Sequence, residues 1–254
     1  MRYVRLRDKD ERPVWGKYDG QAVNLLDRAP WLDEANQLKK ISFDPENLLA
    51  PVQPEKIVAL AANYEGASGR NHEDDEPIVF IKPASSIIGP NETIISPFPG
   101  MKVWGESELA IVIGKKVSKA DSNKAKEAIF GYTLANDVTA ENILSRDHHL
   151  ARSKAADSFC PIGPWIETAF TPCDQVIQGW HNKLLLREGL LNQRVIKDIE
   201  IVIFLSQWMT LEPGDIILTG TPPRIRERVF FQDGDTYTCR LDGLGTLTNK
   251  FHQV

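Results

Sequence analysis

The sequence predicts a mainly β protein with a few helices, which is an α+β fold class. Short apolar runs recur along the chain, and several are introduced by Gly-Asp or Pro turns. Runs of this length and composition are typical of strands, and helical spacing is found in few segments. The clearest runs are PIVFIKP, SELAIVIG, YTLANDV, GDIILTG and TYTCRL. Hydrophobic content of 42% and charged content of 26% are those of an ordinary globular protein.

The first 50 residues are predicted to form a small, separate β-rich unit. YVRLRD, PVWGKYDG and QAVNLLD have the character of short strands, and a short helix is predicted over WLDEANQLKK. Pro45, Pro51 and Pro54 then indicate a boundary, because proline interrupts regular structure. The sequence therefore divides into an N-terminal unit, residues 1–50, and a main domain, residues 55–254.

Three helices are predicted in the main domain. Asp121 is a suitable N-cap for SNKAKEAIF, which Gly131 would end, and Thr139 is a suitable N-cap for AENILSRDHHLARS. The segment KDIEIVIFLSQWM, residues 197–209, has apolar residues at nearly every helical angle. Its length favours a buried helix over a buried strand.

Charge and hydropathy exclude several classes of partner. A net charge of −5 without a Lys/Arg cluster argues against nucleic-acid binding. The N-terminus is too charged for a signal peptide, and the longest apolar runs are too short to span a bilayer. The three cysteines show no CxxC spacing and are expected to be reduced thiols. We therefore expect a cytoplasmic protein with no nucleic-acid or membrane partner.

Two glutamates at the start of a predicted strand are the first chemical signal. In KVWGESELAIVIGK, Glu106 and Glu108 share one strand face, because side chains at i and i+2 point the same way. Asp137 ends the next strand, in GYTLANDVTAEN. Three carboxylates form an oxygen-only set that suits Mg²⁺, Mn²⁺ or Ca²⁺. Spacing alone leaves the alternative that the glutamates lie at a solvated strand end and Asp137 begins a helix.

Four sequence blocks in a fixed order resemble the fumarylacetoacetate hydrolase family. They are GESELAIVIGK, GYTLANDVTAEN, KAADSFCPIGP and LEPGDIILTGTPP, and the resemblance extends from about residue 57 to 254. The phrases LSQWMTLEPGDIILTGTP and FCPIGP are most similar to the branch of 2-hydroxyhepta-2,4-diene-1,7-dioate isomerase and 5-carboxymethyl-2-oxohex-3-ene-1,7-dioate decarboxylase. The resemblance implies a mixed β-roll, usually a homodimer, with one divalent cation. The main domain would then be the catalytic domain.

The resemblance also implies roles for individual residues. Glu106, Glu108 and Asp137 match the metal ligands of the family, with Mg²⁺ or Mn²⁺ expected and Ca²⁺ an option in crystals. Lys154 matches the site lysine, whose ammonium would stabilise developing negative charge or, with a lowered pKa, act as a base. Asp157 is expected to orient Lys154 or Arg152.

Substrate-binding residues are expected at two strand ends. Asn63 and Tyr64 match the Asn-Tyr pair of the family's first strand. Thr219, Gly220 and Thr221 form a strand exit whose backbone N–H groups and hydroxyls are suited to a substrate carboxylate; a plain tight turn is the alternative. Four further cations are candidates for a second substrate carboxylate: Arg70, Lys82, Arg146 and Arg152.

The sequence departs from the hydrolytic members of the family at the predicted lid. Those members have a His–Glu dyad that activates water, whereas Ala67 and Arg70 occupy the two positions here. His72 and Glu73 lie further along and are candidates for a displaced catalytic dyad, or for a solvated loop. Enolate-forming reactions need no activated water.

The resemblance and the missing dyad together predict a divalent-metal-dependent isomerase or decarboxylase. Its substrate would be a small 2-oxo or 2-hydroxydienoic diacid from aromatic-compound catabolism, and its intermediate a metal-stabilised enolate. One alternative is a C–C bond hydrolase of the acylpyruvate or fumarylacetoacetate type, with His72 and Glu73 as catalytic residues. Another is a low-activity structural partner subunit.

Overall fold

Strands account for most of the secondary structure in the computed structural model, which describes residues 1–32, 35–67 and 76–254. The strands are β1 (Arg2–Arg7), β2 (Pro13–Tyr18), β3 (Ala22–Leu26), β4 (Gln37–Ser42), β5 (Leu48–Leu49), β6 (Lys56–Ala61), β7 (Ile78–Pro83), β8 (Ile87–Ile88), β9 (Thr93–Ser96), β10 (Val103–Trp104), β11 (Ser107–Ile113), β12 (Ile129–Asn136), β13 (Thr139–Ala140), β14 (Cys160–Glu167), β15 (Val176–His181), β16 (Leu184–Leu190), β17 (Ile216–Leu218), β18 (Thr236–Leu241) and β19 (Gly245–Gln253). The α-helices are α1 (Ser122–Ala128), α2 (Ala151–Lys154) and α3 (Asp198–Ser206). Short 3₁₀ helices cover Pro45–Asn47, Ala84–Ser86, Ile143–Ser145 and Leu191–Gln193.

These strands form a large mixed sheet and a smaller one, so the predicted α+β fold class is confirmed. The large sheet has the order β4-β3-β2-β1-β14-β12-β11-β17-β6-β7, and the second has the order β16-β15-β18-β19-β9. Strands β10 and β13 pair separately. Strand β17 runs antiparallel to β11 but parallel to β6, which makes the large sheet mixed.

Strand β11 is buried on both faces, which explains why it is apolar along its whole length. Leu109 and Ile111 pack into the largest core cluster, whereas Ala110 and Val112 pack into a second cluster on the opposite side. The alternation predicted from the sequence is therefore confirmed. Glu108 lies near the start of the strand, on the same face as Ala110, and it lines the cavity described below.

Pairing register brings distant parts of the chain together at one end of the central strands of the large sheet. Strands β11 and β12 are antiparallel, so Ser107 at the start of one lies opposite Asn136 at the end of the other. On the other side of β11, Leu218 of β17 pairs with Ala110, and Ala59 of β6 pairs with Leu218. The segments that follow β12, β17 and β6 therefore meet beside the start of β11.

The N-terminal strands extend the large sheet. The three strands predicted in residues 1–26 are present, and β1 pairs with β14. The helix predicted over WLDEANQLKK is wrong, because Gln37–Ser42 form β4 and pair with β3. Cross-strand pairing outweighs the local helical preference of this segment. The division of the chain at residues 50–55 stays a prediction.

The helix predicted after Thr139 is also wrong. Thr139 belongs to β13, and of the predicted segment only Ala151–Lys154 is α-helical. Leu144 and Leu150 have positive φ angles of 54° and 58°, which a continuous helix does not allow. Asn142 accepts a hydrogen bond from the Asp147 N–H at 2.9 Å, and such local side-chain bonds compete with helix formation.

The other two predicted helices are confirmed. Helix α3 covers residues within the predicted 197–209 segment, and Asp121 caps α1 by accepting a hydrogen bond from the Lys124 N–H at 2.8 Å. Helix α1 ends at Ala128, before the predicted Gly131, because β12 begins at Ile129. In the described ranges, no helix is both long and apolar enough to cross a membrane.

Replacing the N-cap of α1 should destabilise the protein measurably. Asp121→Ala removes the acceptor for an otherwise unpaired helix N–H, at a cost of about 1 kcal/mol in the free energy of unfolding. Asp121→Asn retains an acceptor and should cost much less. Urea denaturation would measure both, with exposed Ser122→Ala as a control. Equal stability of Asp121→Ala and wild type would contradict the capping assignment.

Candidate active site

Three carboxylates meet at the strand ends described above. Ligand oxygens of Glu106, Glu108 and Asp137 all lie within 4.8 Å of one another, and we call these residues the carboxylate triad. Asp137 follows β12, and its N–H donates to the Glu106 carbonyl at 2.9 Å. Asn136 accepts from the Glu106 N–H at 2.9 Å. The backbone at both strand ends is therefore fixed, and it positions all three side chains.

Glu106 has the strongest set of donors. Its Oε1 accepts from Arg187 Nη2 at 2.8 Å and from Trp104 Nε1 at 3.0 Å, and its Oε2 accepts from Lys154 Nζ at 3.0 Å. Burial raises the pKa of Glu106, but the positive charges of Lys154 and Arg187 outweigh it and lower the pKa to about 2. Glu106 is therefore a carboxylate at neutral pH.

Glu108 is buried without a comparable cation. The Gly220 N–H donates to its Oε2 at 2.6 Å. Burial and the neighbouring Asp137 charge raise the pKa of Glu108 well above its usual range. This carboxylate is the member of the triad that most needs a positive charge beside it.

Asp137 contacts two lysines. Lys82 Nζ donates to Oδ1 at 2.6 Å, and Lys154 Nζ contacts Oδ2. Lys82 lies on β7 and is completely buried, so its charge is balanced by this pair. Lys82 does not line the cavity, and we assign it to holding Asp137 in place rather than to binding a second substrate carboxylate.

Lys154 ends α2 and reaches the triad. Besides Glu106 and Asp137, its ammonium contacts Thr139 Oγ1 at 2.7 Å and lies 5.0 Å from the centre of the Phe80 ring. Burial lowers the pKa of Lys154, but Asp137 and Glu106 outweigh it, so the pKa is raised. These carboxylates hold Lys154 as a cation in this structure, and the base role considered for it stays a prediction.

The residues present fit a divalent cation. Three carboxylates, of which Glu108 and Asp137 are buried and Glu106 is partly exposed, offer oxygen ligands within 4.8 Å of one another, which suits a hard cation such as Mg²⁺ or Mn²⁺. Among the described residues Glu106 and Asp137 form ion pairs and Glu108 forms none, so a cation beside Glu108 would balance its charge. Three protein ligands would leave positions for a bound substrate.

The triad opens into a cavity of about 530 Å³. Lys154 and Arg187 line it near the acids, and Ala67 lines it where hydrolytic relatives were expected to place a histidine. Leu60, Ile78, Phe80 and Leu150 supply apolar surface. Arg224, Arg226 and Arg228 complete a basic wall. The cavity can thus accept a small molecule with several negative charges.

Asn63 and Thr219 are fully buried parts of the scaffold. The Asn63 amide nitrogen donates to the carbonyls of Ile196 at 3.0 Å and Thr219 at 2.9 Å, and its oxygen accepts from the Ile196 N–H at 2.9 Å. The Thr219 hydroxyl donates to the Leu109 carbonyl at 2.9 Å. Neither lines the cavity, and neither does Tyr64, which is completely buried.

Gly220 and Thr221 lie closer to the chemistry. Gly220 has a φ of +93°, and a Cβ there would lie 2.9 Å from Asn63 Cβ, so glycine is required for the close approach that lets its N–H reach Glu108. The Thr221 hydroxyl is buried and has no partner among the described residues, and Thr221 lines the cavity. It remains available to a ligand.

Of the remaining predicted residues, those that the structure describes are not brought to the triad. Asp157 is exposed, and the described residues show no ion pair between it and Lys154 or Arg152. Arg146 and Arg152 line a separate cavity of about 270 Å³. The predicted residues Arg70, His72 and Glu73 lie outside the described residues.

Sequence reasoning missed the contribution of several cations. Arg187 belongs to β16, far along the chain from Glu106, and no local pattern marks it. Arg224, Arg226 and Arg228 were visible in the sequence as three arginines at alternate positions directly after Pro222-Pro223. This alternate spacing is the sequence feature from which a basic cavity wall could have been predicted.

Comparison with known proteins identifies the class and then the family. Residues 56–252 match the family described as fumarylacetoacetate (FAA) hydrolase C-terminal. The fold is thus that of a class of enzymes that includes isomerases, hydrolases and tautomerases. The chain belongs to the fumarylacetoacetate hydrolase family, and the resemblance inferred from its sequence is confirmed.

Three relatives illustrate the range of activities. Oxaloacetate tautomerase FAHD2B, mitochondrial, of Bos taurus is 36% identical over 85% of this chain and 73% of its own length. The structure of 2-hydroxyhepta-2,4-diene-1,7-dioate isomerase from Mycobacterium marinum has a TM-score of 0.88 and 32% identity, and covers 100% of this chain and 98% of its own. Maleylpyruvate hydrolase from Sphingobium sp. SYK-6, in complex with manganese(II) ion and pyruvate, has a TM-score of 0.78 and 28% identity, covering 100% of this chain and 99% of its own.

Removing the Asn63 amide should reduce stability. Asn63→Ala eliminates three buried hydrogen bonds and leaves backbone groups of two segments unpaired, which predicts a loss of about 3 kcal/mol in the free energy of unfolding. Chemical denaturation would measure it. Exposed Asn91→Ala, at a position with a φ of 64°, is a control for the loss of an asparagine elsewhere. An unchanged stability with weaker substrate binding would instead support direct contact with substrate.

Proposed function

We propose that the protein is a divalent-metal-dependent isomerase that interconverts keto and enol forms of a small 2-oxo diacid, or decarboxylates it through the same enolate. The buried carboxylate triad beside the cationic Lys154, open to a basic cavity, carries this proposal. The Mycobacterium marinum relative, named for 2-hydroxyhepta-2,4-diene-1,7-dioate, supports a diacid substrate, and we propose that the reaction belongs to aromatic-compound catabolism. The tautomerase named for oxaloacetate supports a 2-oxo diacid as well.

Each group near the triad has a defined chemical task. A divalent cation on the triad would supply Lewis-acid polarisation of a keto oxygen. Lys154 donates hydrogen bonds from a group held positive by Asp137 and Glu106, so it can stabilise the oxyanion of an enolate. Arg187 and Trp104 hold Glu106 in a fixed orientation. The unpaired Thr221 hydroxyl is available to bind a substrate carboxylate.

The described part of the cavity wall supports enolisation over hydrolysis. Hydrolysis of a C–C bond needs a base that activates water, and Ala67, at the position where hydrolytic members were expected to place a histidine, offers no such group. The similarity to maleylpyruvate hydrolase keeps acylpyruvate-type hydrolysis as the second candidate, with His72 and Glu73 as its proposed dyad. The third candidate is a structural partner subunit with little activity.

Glu108 should be essential for metal binding. Glu108→Gln removes a charge from the triad and should weaken Mn²⁺ binding by at least about 100-fold, since losing even an outer partner of a metal ligand costs about 10–100-fold. Titration calorimetry would measure the dissociation constant. Glu127→Gln, an exposed acid on α1, should bind Mn²⁺ like wild type. Failure of the wild-type protein to bind any divalent cation would favour the structural subunit.

Lys154 should be required for turnover. Lys154→Met should lower kcat/KM for ketonisation of the enol form of oxaloacetate by about 10²–10³-fold, because it removes a charge beside the developing oxyanion. The reaction would be followed by the loss of enol absorbance, measured once with Mg²⁺ and once with a chelator. Lys115→Met is a control on an exposed lysine.

An acylpyruvate assayed in parallel distinguishes the hydrolase. If wild type cleaves it with Mg²⁺ and His72→Ala abolishes cleavage, the second candidate replaces the first. Metal-dependent ketonisation that survives His72→Ala, without acylpyruvate cleavage, is the result expected from an isomerase. Loss of CO₂ from 5-carboxymethyl-2-oxohex-3-ene-1,7-dioate would identify decarboxylation.

A further inference from the structure

We propose that Arg228, assisted by Arg224 and Arg226, binds the substrate carboxylate that is remote from the 2-oxo acid group. These residues would therefore select dicarboxylates over monocarboxylates. The inference rests on the proposed function, because it assigns the substrate class that the same cavity accepts.

The three arginines form one wall of the cavity that contains the triad. Of residues 224–228, the arginines line the cavity, whereas Ile225 and Glu227 do not. The segment directly follows Thr221, Pro222 and Pro223, which also line the cavity. Proline restricts the backbone at the start of the segment, so the wall begins from a stiff exit of β17.

Arg228 is linked to the triad by a single side chain. Its guanidinium lies 3.8 Å from the centre of the Trp104 ring, and the Trp104 N–H donates to Glu106 Oε1 at 3.0 Å. One indole therefore separates the guanidinium from a triad oxygen. A planar guanidinium stacked on an aromatic face keeps its in-plane donors free for a carboxylate.

Arg228 also retains unused hydrogen-bonding capacity. Its Nε is buried and has no partner among the described residues. Burial and the nearby charge of Arg224 lower its pKa, and a bound anion would reduce the repulsion between these cations. An unpaired buried donor costs free energy that a ligand acceptor can recover.

Arg187 is less suited to this role. Its Nη1 donates to the Pro222 carbonyl at 2.7 Å and its Nη2 to Glu106 at 2.8 Å. Its guanidinium is thus occupied in holding the loop and the triad. Arg146 and Arg152 line another cavity and are likewise excluded.

The charge balance of the cavity favours an anion with more than one charge. Among the described lining residues, three carboxylates face five cations, an excess of two positive charges. A divalent cation would increase the excess to four. A 2-oxo dicarboxylate neutralises more of that excess than a monocarboxylate does, and a matched guanidinium–carboxylate pair adds directional hydrogen bonds.

Binding of matched ligands to the Mn²⁺-loaded protein tests the assignment without requiring turnover. 2-Oxoglutarate and 2-oxopentanoate have the same chain length and differ in the remote carboxylate, while oxalate probes the metal alone. In wild type we expect the diacid to bind about 10–100-fold more tightly than the monoacid. Arg228→Gln should reduce this ratio to near one and leave oxalate binding within about twofold, since oxalate lacks a remote carboxylate.

Graded variants strengthen the test. Arg228→Lys should keep part of the preference, because it retains the charge but loses the planar donors. Arg224→Gln and Arg226→Gln alter exposed side chains and should reduce the ratio by less, about threefold each. Arg240→Gln, an exposed arginine at a different cavity, should leave it unchanged. If Arg228→Gln fails to fold, the Arg224→Gln/Arg226→Gln double variant carries the test.

The outcomes separate this inference from the proposed function. One outcome would overturn the assignment and leave the proposed function intact. In that outcome oxalate binding depends on the metal, and none of the arginine variants changes the preference for the diacid. Absence of metal-dependent oxalate binding would overturn both. Loss of the preference with normal oxalate binding would support the assignment.

Discussion

Repulsion among three closely spaced carboxylates, two of them buried, is the constraint on which the candidate active site depends. Like charges within 4.8 Å in a poorly solvated place are costly, so each acid needs a positive partner. Glu106 and Asp137 share Lys154, and each has a further cation of its own, Arg187 or Lys82. These cations come from β7, α2 and β16, so the charges connect elements that are not directly paired with β11 or β12. Among the described residues Glu108 alone forms no ion pair, and this imbalance supports the proposal that the triad holds a cation.

Much of the fold and the acidic centre could be predicted from the sequence. Strand β11, with Glu108 on it and Glu106 directly before it, follows from period-two patterning and from an apolar run too short for a typical helix. Asp137 could be added because it ends the next strand, and antiparallel register then brings it to the start of β11. The two wrong helices were in segments whose conformation is decided by pairing with β3 and by the local hydrogen bonds of Asn142.

The cationic half of the site could not be predicted in the same way. Lys82 and Arg187 reach the acids only through the folded arrangement of the sheets, and neither has a local spacing that connects it to them. Asn63 and Thr219 were predicted to bind substrate. Their side chains instead form hydrogen bonds with neighbouring backbone groups. A sequence motif identifies such residues as necessary, and only the contacts distinguish a ligand from a structural support.

The acids and the arginine wall differ in how they are attached to the fold. The triad is fixed by strand register, so moving any acid would disturb the pairing of buried strands. Arg224 and Arg226 lie on the exposed segment after Pro223, where substitutions cost little stability, and the partly buried Arg228 follows them. Under the assignment proposed above, substrate range can evolve independently of the chemical centre, one residue at a time. Relatives named for different substrates, 2-hydroxyhepta-2,4-diene-1,7-dioate, oxaloacetate and maleylpyruvate, are the outcome that such a separation permits.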